Sequence, residues 1–208
     1  MRLVYFLKAS DILRIMKHFF IRLFFLLVIP WGTLAAPQIQ SVTGENLLSG
    51  GPVALKLQEM GAQGKKGLVV VFLSARCPCS NSHVAEVRDL AQNYKDFAFV
   101  AVHSNLDEGE ALAKPYFEKA HLPFPVIADA KARLADQFQA LKTPHAYIVV
   151  PDGHIAYQGG VSNSNDCAKS DRKYLREALA DLHEGKPVRT PEGRTLGCVI
   201  SRGEKNVW

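Results

Sequence analysis

Residues 68–82 read LVVVFLSARCPCSNS: an apolar, mostly β-branched run that stops abruptly at Arg76-Cys77-Pro78-Cys79-Ser80. A continuous apolar run of this length, closed by a sharp polar break, is a strand buried on both faces of a layered sheet. A helical pattern follows at once, with Val84, Val87, Leu90, Ala91 and Tyr94 on one face. Two cysteines therefore stand where a core strand turns into a helix. Free amide protons and the helix macrodipole favour a thiolate at such a position, and Pro78 suits a first helical turn that needs no backbone donor. Cys77 has the setting of a redox-active or peroxide-reactive thiol.

Working outward, residues 97–103 form a second β-rich run, which makes a βαβ unit and hence a parallel pair. On the amino-terminal side, Gly44-Glu45-Asn46 and Ser49-Gly50-Gly51-Pro52 read as turns, and residues 53–60 as a short helix ended by Gly61. Beyond the unit, residues 110–121 read as a helix carrying Pro115, and residues 124–128 as a short strand. Asp129 is placed to cap a helix bearing Leu134, Phe138 and Leu141. Residues 146–150 and 154–158 flank Pro151-Asp152-Gly153 as an antiparallel hairpin. An amphipathic helix over 171–183 stops at Gly185 and Pro187, and a tail without clear period carries Cys198. The charged stretches at 86–89, 107–110 and 169–173 read as solvated faces.

Net charge separates leader from body. The chain carries a formal +5, yet residues 1–36 hold Arg2, Lys8, Arg14, Lys17 and Arg22 against Asp11 alone, leaving 20 basic and 19 acidic residues beyond them. A near-neutral body excludes nucleic acid as the expected partner. The leader has the order of a secretory signal: Lys17 and Arg22, an apolar run at 23–29, then small residues at 33–36. Met16 offers a second start within it. The apolar run is shorter than the ~20 residues a spanning helix needs, so membrane contact is expected only through an uncleaved leader. All four cysteines (Cys77, Cys79, Cys167, Cys198) follow it, and an even number in an exported chain reads as disulfides, permanent or formed in turnover. The division expected is a leader at 1–36, one domain at 37–187 and a tail at 188–208, in a periplasmic or secreted protein.

The element order, with a cysteine at the first strand-to-helix turn and a proline before the later hairpin, resembles the thioredoxin-like fold: an α/β domain with a central mixed sheet and helices on both faces. More narrowly, FLSARCP (72–78), FVAVHSN (99–105), FPVIAD (124–129), TPHAYIVVPDGHIAYQG (143–159) and the tail GKPV…P…GCVI (185–200) resemble exported redoxins of the alkyl hydroperoxide reductase/thiol-specific antioxidant superfamily. The resemblance implies that Cys77 is the nucleophile and that Cys198 or Cys79 resolves its mixed disulfide. It also implies a cis peptide at Thr143-Pro144, with Thr143, Pro144, Arg76 and Ser74 at the substrate. His145 either lines the site or packs as an ordinary side chain. The disulfides implied are 77–198 and 79–167.

Departures from the family patterns keep several activities in play. Thioredoxins carry Cys-x-x-Cys, whereas this chain has Cys-Pro-Cys-Ser and no acid within the preceding strand. Peroxiredoxins carry Pro-x-x-x-Thr/Ser-x-x-Cys; Ser74 fits the hydroxyl position, but Val70 replaces the proline, and their active-site arginine from a later strand has no counterpart in residues 145–150, with Arg76 and Arg133 poor substitutes. Thiol–disulfide exchange is thus the leading expectation, with protein thiols or disulfides and a thiol electron donor as partners. Reduction of a small peroxide comes second. A soft-metal site at Cys77, Cys79 and His83 and a non-catalytic, disulfide-stapled binding domain are the remaining readings. No phosphate-cradling glycine loop is present, so no organic cofactor is expected.

Overall fold

A computed structural model describes residues 38–203. The expected leader lies outside these residues, and none of the described helices is long and apolar enough to cross a membrane. The strands are β1 (Ser41–Asn46), β2 (Pro52–Lys56), β3 (Gly67–Phe72), β4 (Phe97–His103), β5 (Val126–Ala128), β6 (Lys142–Thr143), β7 (His145–Val149), β8 (Ile155–Gly159) and β9 (Cys198–Val199). The helices are α1 (Leu57–Ala62), α2 (Pro78–Asn93), α3 (Glu110–Ala120), α4 (Arg133–Gln137) and α5 (Tyr174–His183). Seven strands form one sheet in the order β2-β1-β5-β4-β3-β7-β8, while β6 and β9 make a separate two-stranded ribbon. Within the large sheet β3, β4 and β5 run parallel and the remaining pairings are antiparallel. This is the mixed sheet of the thioredoxin-like fold.

Every residue of β3 is buried, as its uninterrupted apolar run requires. Its side chains alternate between two cores. Val69 and Val71 join Val87 and Leu90 of α2, Phe117 of α3 and Leu175 and Leu179 of α5. Leu68, Val70 and Phe72 join Leu57 and Met60 of α1, Leu134 of α4 and Ile200 of the tail. Helices cover both faces, so the strand that delivers Cys77 is clamped from two sides.

Three local expectations are corrected. Residues 53–60 are not one helix: β2 pairs with β1 as a hairpin, and α1 begins only at Leu57. Gly44 is not a turn residue but an interior position of β1, where a Cβ would overlap the Ile127 side chain, so its smallness serves sheet packing. The helix after Asp129 is a short one at 133–137, ended by Phe138 and by Gln139 at φ 54°. Asp129 caps it: its carboxylate accepts from the N–H groups of Leu134 (2.8 Å) and Ala135 (3.0 Å).

The charged stretches are also not merely solvated. Glu86 of α2 is buried and accepts from Lys173 Nζ (2.8 Å) and Arg176 Nε (2.7 Å), and Asp89 accepts from Arg176 (2.6 Å), so α2 and α5 are joined by an ion cluster.

Candidate functional site

Cys77 is the N-cap residue of α2, in extended backbone geometry, with Pro78 in the first turn. The chain must reverse from β3 into α2 within Leu73–Arg76, and that loop is held by side chains rather than by strand pairing. Ser74 is buried; its hydroxyl accepts from the Cys77 N–H (3.0 Å) and donates to Glu108 Oε1 (2.5 Å). The Ser80 hydroxyl accepts from the Ser74 N–H (3.2 Å).

Glu108 is the hub of this loop and was not singled out by sequence. It lies in the polar segment after β4, yet its side chain is only 4% exposed. Besides Ser74, it accepts from the Ala75 N–H (2.7 Å) and Asn105 Nδ2 (2.9 Å), and it pairs with His103 Nε2 (3.0 Å). Burial alone would raise this carboxyl, but hydrogen bonds from Ser74, His103 and Ala75 outweigh it and hold Glu108 below the ordinary carboxylate range. A buried acid does stand behind the cysteine loop, contributed by a loop instead of the strand.

Opposite Cys77 lies Thr143-Pro144, whose peptide bond is cis. The Cys77 thiol donates to the Thr143 carbonyl (3.2 Å), and the buried Thr143 hydroxyl has no hydrogen-bond partner. β6 pairs antiparallel with β9, placing Cys198 directly across from Thr143. A Cβ at position 197 would collide with the Thr143 carbonyl, so only glycine lets the tail approach this closely. Beyond Cys198 the tail is pinned: Ile200 is buried and its N–H donates to the Leu141 carbonyl (2.9 Å), and the Ser201 N–H donates to Asn105 Oδ1 (2.9 Å). One hydrogen-bonded path thus runs from the tail through Asn105, Glu108 and Ser74 to the Cys77 backbone.

These constraints bring three sulfurs together. The Sγ atoms of Cys77, Cys79 and Cys198 all lie within 4.8 Å of one another, and the thiols are free. Their acidities diverge. Burial pushes the Cys77 thiol up, but hydrogen bonds involving Cys198 and the Ser80 and Cys198 backbones leave it below the ordinary thiol value. Cys79 is raised by burial and by the charge on Cys77. Cys198 is pushed up to about 12 by desolvation of its sulfur and by donating to Cys77. Cys77 is therefore the thiol of this trio that ionises first.

The other expected site residues fall elsewhere. Cys167 lies in a single-turn helix at Cys167–Lys169, its N–H 3.4 Å from Ser82 Oγ, outside the trio that holds Cys77, Cys79 and Cys198. His83 does not join Cys77 and Cys79: it is buried, with Nδ1 at the Cys79 carbonyl (2.7 Å) and Nε2 at Ser162 Oγ (2.7 Å), because position 83 faces the loop between β8 and α5. Ser74, expected at the substrate, spends its hydroxyl inside the protein. Arg76 is 58% exposed, with its guanidinium 3.9 Å from Asp107. His145 pairs with the Tyr147 hydroxyl (3.1 Å), and burial lowers its pKa to about 4.

A family model described as Redoxin matches residues 33–179. Among solved structures, the chain is similar to an uncharacterised conserved protein from Geobacillus kaustophilus, with 28% identity and a TM-score of 0.69 over 79% of this chain and 90% of that one. It is also similar to a hypothetical protein from Sinorhizobium meliloti, with 23% identity and a TM-score of 0.68 over 78% and 91%. A structure from Chlorobium tepidum described as a thiol:disulfide interchange protein shares the fold at 16% identity and a TM-score of 0.52, over 71% and 94%. No curated protein matches.

Proposed function

The chain belongs to the Redoxin family, and on that footing we propose that it is an exported thiol–disulfide oxidoreductase with Cys77 as nucleophile. The observation that carries this reading is the sulfur trio, in which one buried thiol is acidified and two less acidic thiols stand within reach. The Cys77 thiolate attacks one sulfur of a substrate disulfide, forming a mixed disulfide and expelling the other sulfur as a thiolate. Cys198, after losing its proton, attacks Cys77 Sγ and releases the second substrate thiol, so the substrate gains two electrons and a 77–198 disulfide forms. Cys79 is as near, but a bridge across a single intervening residue closes a strained ring, which favours Cys198 as the resolving thiol. The cis Thr143-Pro144 segment beside Cys77 is positioned to hold the partner chain. The leader-like order of residues 1–36 supports an oxidising compartment outside the cytoplasm.

Peroxide reduction is the weaker reading. The Ser74 hydroxyl that the peroxiredoxin pattern would offer is already committed to Glu108 and the Cys77 N–H.

The test is a thiol count on reduced protein after exposure to stoichiometric peroxide or to a model disulfide, for wild type and Cys77→Ser. The proposal expects rapid loss of two thiols with the disulfide, slow loss with peroxide, and neither in Cys77→Ser. Rapid peroxide-dependent loss through Cys77 would transfer the assignment to a peroxidase. Equal reactivity of wild type and Cys77→Ser would end both readings.

A further inference from the structure

The sulfur trio has a geometry that thiol exchange does not require. Exchange needs a nucleophile and one resolving thiol, yet here three sulfurs lie mutually within 4.8 Å, two from the first turn of α2 and one from the tail. We propose that in the reduced protein Cys77, Cys79 and Cys198 form a three-thiolate site for a soft monovalent cation, copper(I). This goes beyond the exchange activity and differs from the ligand set read from sequence, since the third donor is the tail cysteine and not His83.

The chemistry of the donors selects the ion. Thiolates prefer soft metals and are poor ligands for magnesium or calcium. Among the described residues no histidine or carboxylate joins the cluster, so the protein supplies three sulfurs and nothing else. Zinc in structural sites takes four protein ligands in a tetrahedron, a set this cluster does not complete. A three-coordinate all-sulfur set suits copper(I).

The cluster is built rather than incidental. Cys77 is fixed from behind by the Ser74–Glu108 bonds, and Cys79 lies one residue beyond Pro78, in the first turn of α2. Cys198 is registered against Thr143, made possible by Gly197 and locked by buried Ile200. Cys77 is buried while Cys79 and Cys198 are more open to solvent, which gives the ion an entry path. The amino-terminal end of α2 is favourable to the anionic sulfurs. On binding, each thiol that is still protonated releases its proton to solvent, and copper remains in the +1 state throughout. A disulfide between any two of the cysteines leaves a single donor, so metal loading and oxidation exclude one another.

The experiment is an anaerobic titration of the reduced protein with copper(I) in competition with a chromogenic copper(I) chelator. Wild type, Cys79→Ser, Cys198→Ser and Cys167→Ser are compared, with circular dichroism confirming that each variant is folded. One copper(I) per chain is expected for wild type and for Cys167→Ser, whose thiol is outside the cluster. Affinity should be weaker by roughly tenfold or more in Cys79→Ser and Cys198→Ser, since removing a direct ligand costs at least as much as disturbing its supporting shell. X-ray absorption of the wild-type complex should show a single shell of three sulfurs. Failure to hold copper(I) against the chelator, undiminished affinity in Cys198→Ser, or tighter stoichiometric binding of zinc would overturn the proposal. A protein that exchanges disulfides but fails this titration would retain its proposed function and lose only the metal site.

Discussion

Glu108 receives more hydrogen bonds than any other side chain near Cys77, and its charge state is tied to the integrity of the cysteine loop. Glu108→Gln replaces an acceptor oxygen with a donor NH2 group facing the Ser74 hydroxyl or the Ala75 N–H. Leaving a buried donor unsatisfied costs about 1–3 kcal/mol, and that is the expected loss of stability near neutral pH. The pH dependence has a fixed sign. Because the folded-state pKa is depressed, the carboxylate's contribution is fully present above the unfolded value, about 4.3, and is lost as pH falls through the lower folded value. Urea unfolding of wild type and variant should therefore show a gap at pH 7 that narrows as the pH is taken below about 4. A gap that stays constant over that range would mean that shape, not charge, is what Glu108 supplies.

Among the elements, β9 is with β6 the shortest and has the most to do with the chemistry, because its two residues place Cys198 against Thr143. Gly197→Ala drives a methyl group into the Thr143 carbonyl, so the tail must back away while Ile200 and Ser201 remain anchored. The expected result is a folded protein in which Cys77 still attacks a model disulfide but the mixed disulfide accumulates instead of resolving. Mass spectrometry of the acid-quenched reaction reads this directly; wild-type turnover without the trapped adduct would show that Cys79 resolves Cys77. The same elements show why only part of the site was legible in sequence. β3, α2 and the β7–β8 hairpin announce themselves through local periodicity and turn residues, so Cys77, Cys79 and Pro144 could be placed at once. Cys198 was marked by the resemblance of its GCVI tail, but its approach to Cys79 depends on a two-residue ribbon that no local pattern encodes. Glu108 and Glu86 lie in charged stretches of ordinary composition, and only partners from distant segments, Ser74 for one and Lys173 and Arg176 for the other, take them out of solvent. The β1–β2 hairpin is hidden in the sequence because Gly44, a packing residue, looks like a turn glycine.

At the scale of the whole molecule, the proposed 77–198 disulfide would join the amino end of α2 to a tail more than a hundred residues later, and so couples redox state to global stability. Two effects oppose each other. Closing so long a loop removes entropy from the unfolded chain, a gain of about 4–5 kcal/mol at most in the chain-entropy model. Against it, the reduced form holds the Cys77 thiolate with hydrogen bonds that vanish on oxidation, although burial of that sulfur already offsets part of their benefit. The tail is registered before any bridge forms, by Ile200 and by Ser201 on Asn105. The disulfide therefore need not pull the tail into place, and the cross-link should dominate. The oxidised protein is expected to unfold at a higher denaturant concentration than the reduced protein. Thermodynamic linkage then makes the bridge harder to reduce in the folded chain than in the unfolded one, which suits a donor of electrons to substrate disulfides. Paired denaturation curves in the presence and absence of reductant, repeated on Cys198→Ser, provide the check. A reduced form more stable than the oxidised one would reverse the direction of electron flow and make the protein an oxidant, by the same reasoning that makes a stabilised reduced form the mark of an oxidising dithiol.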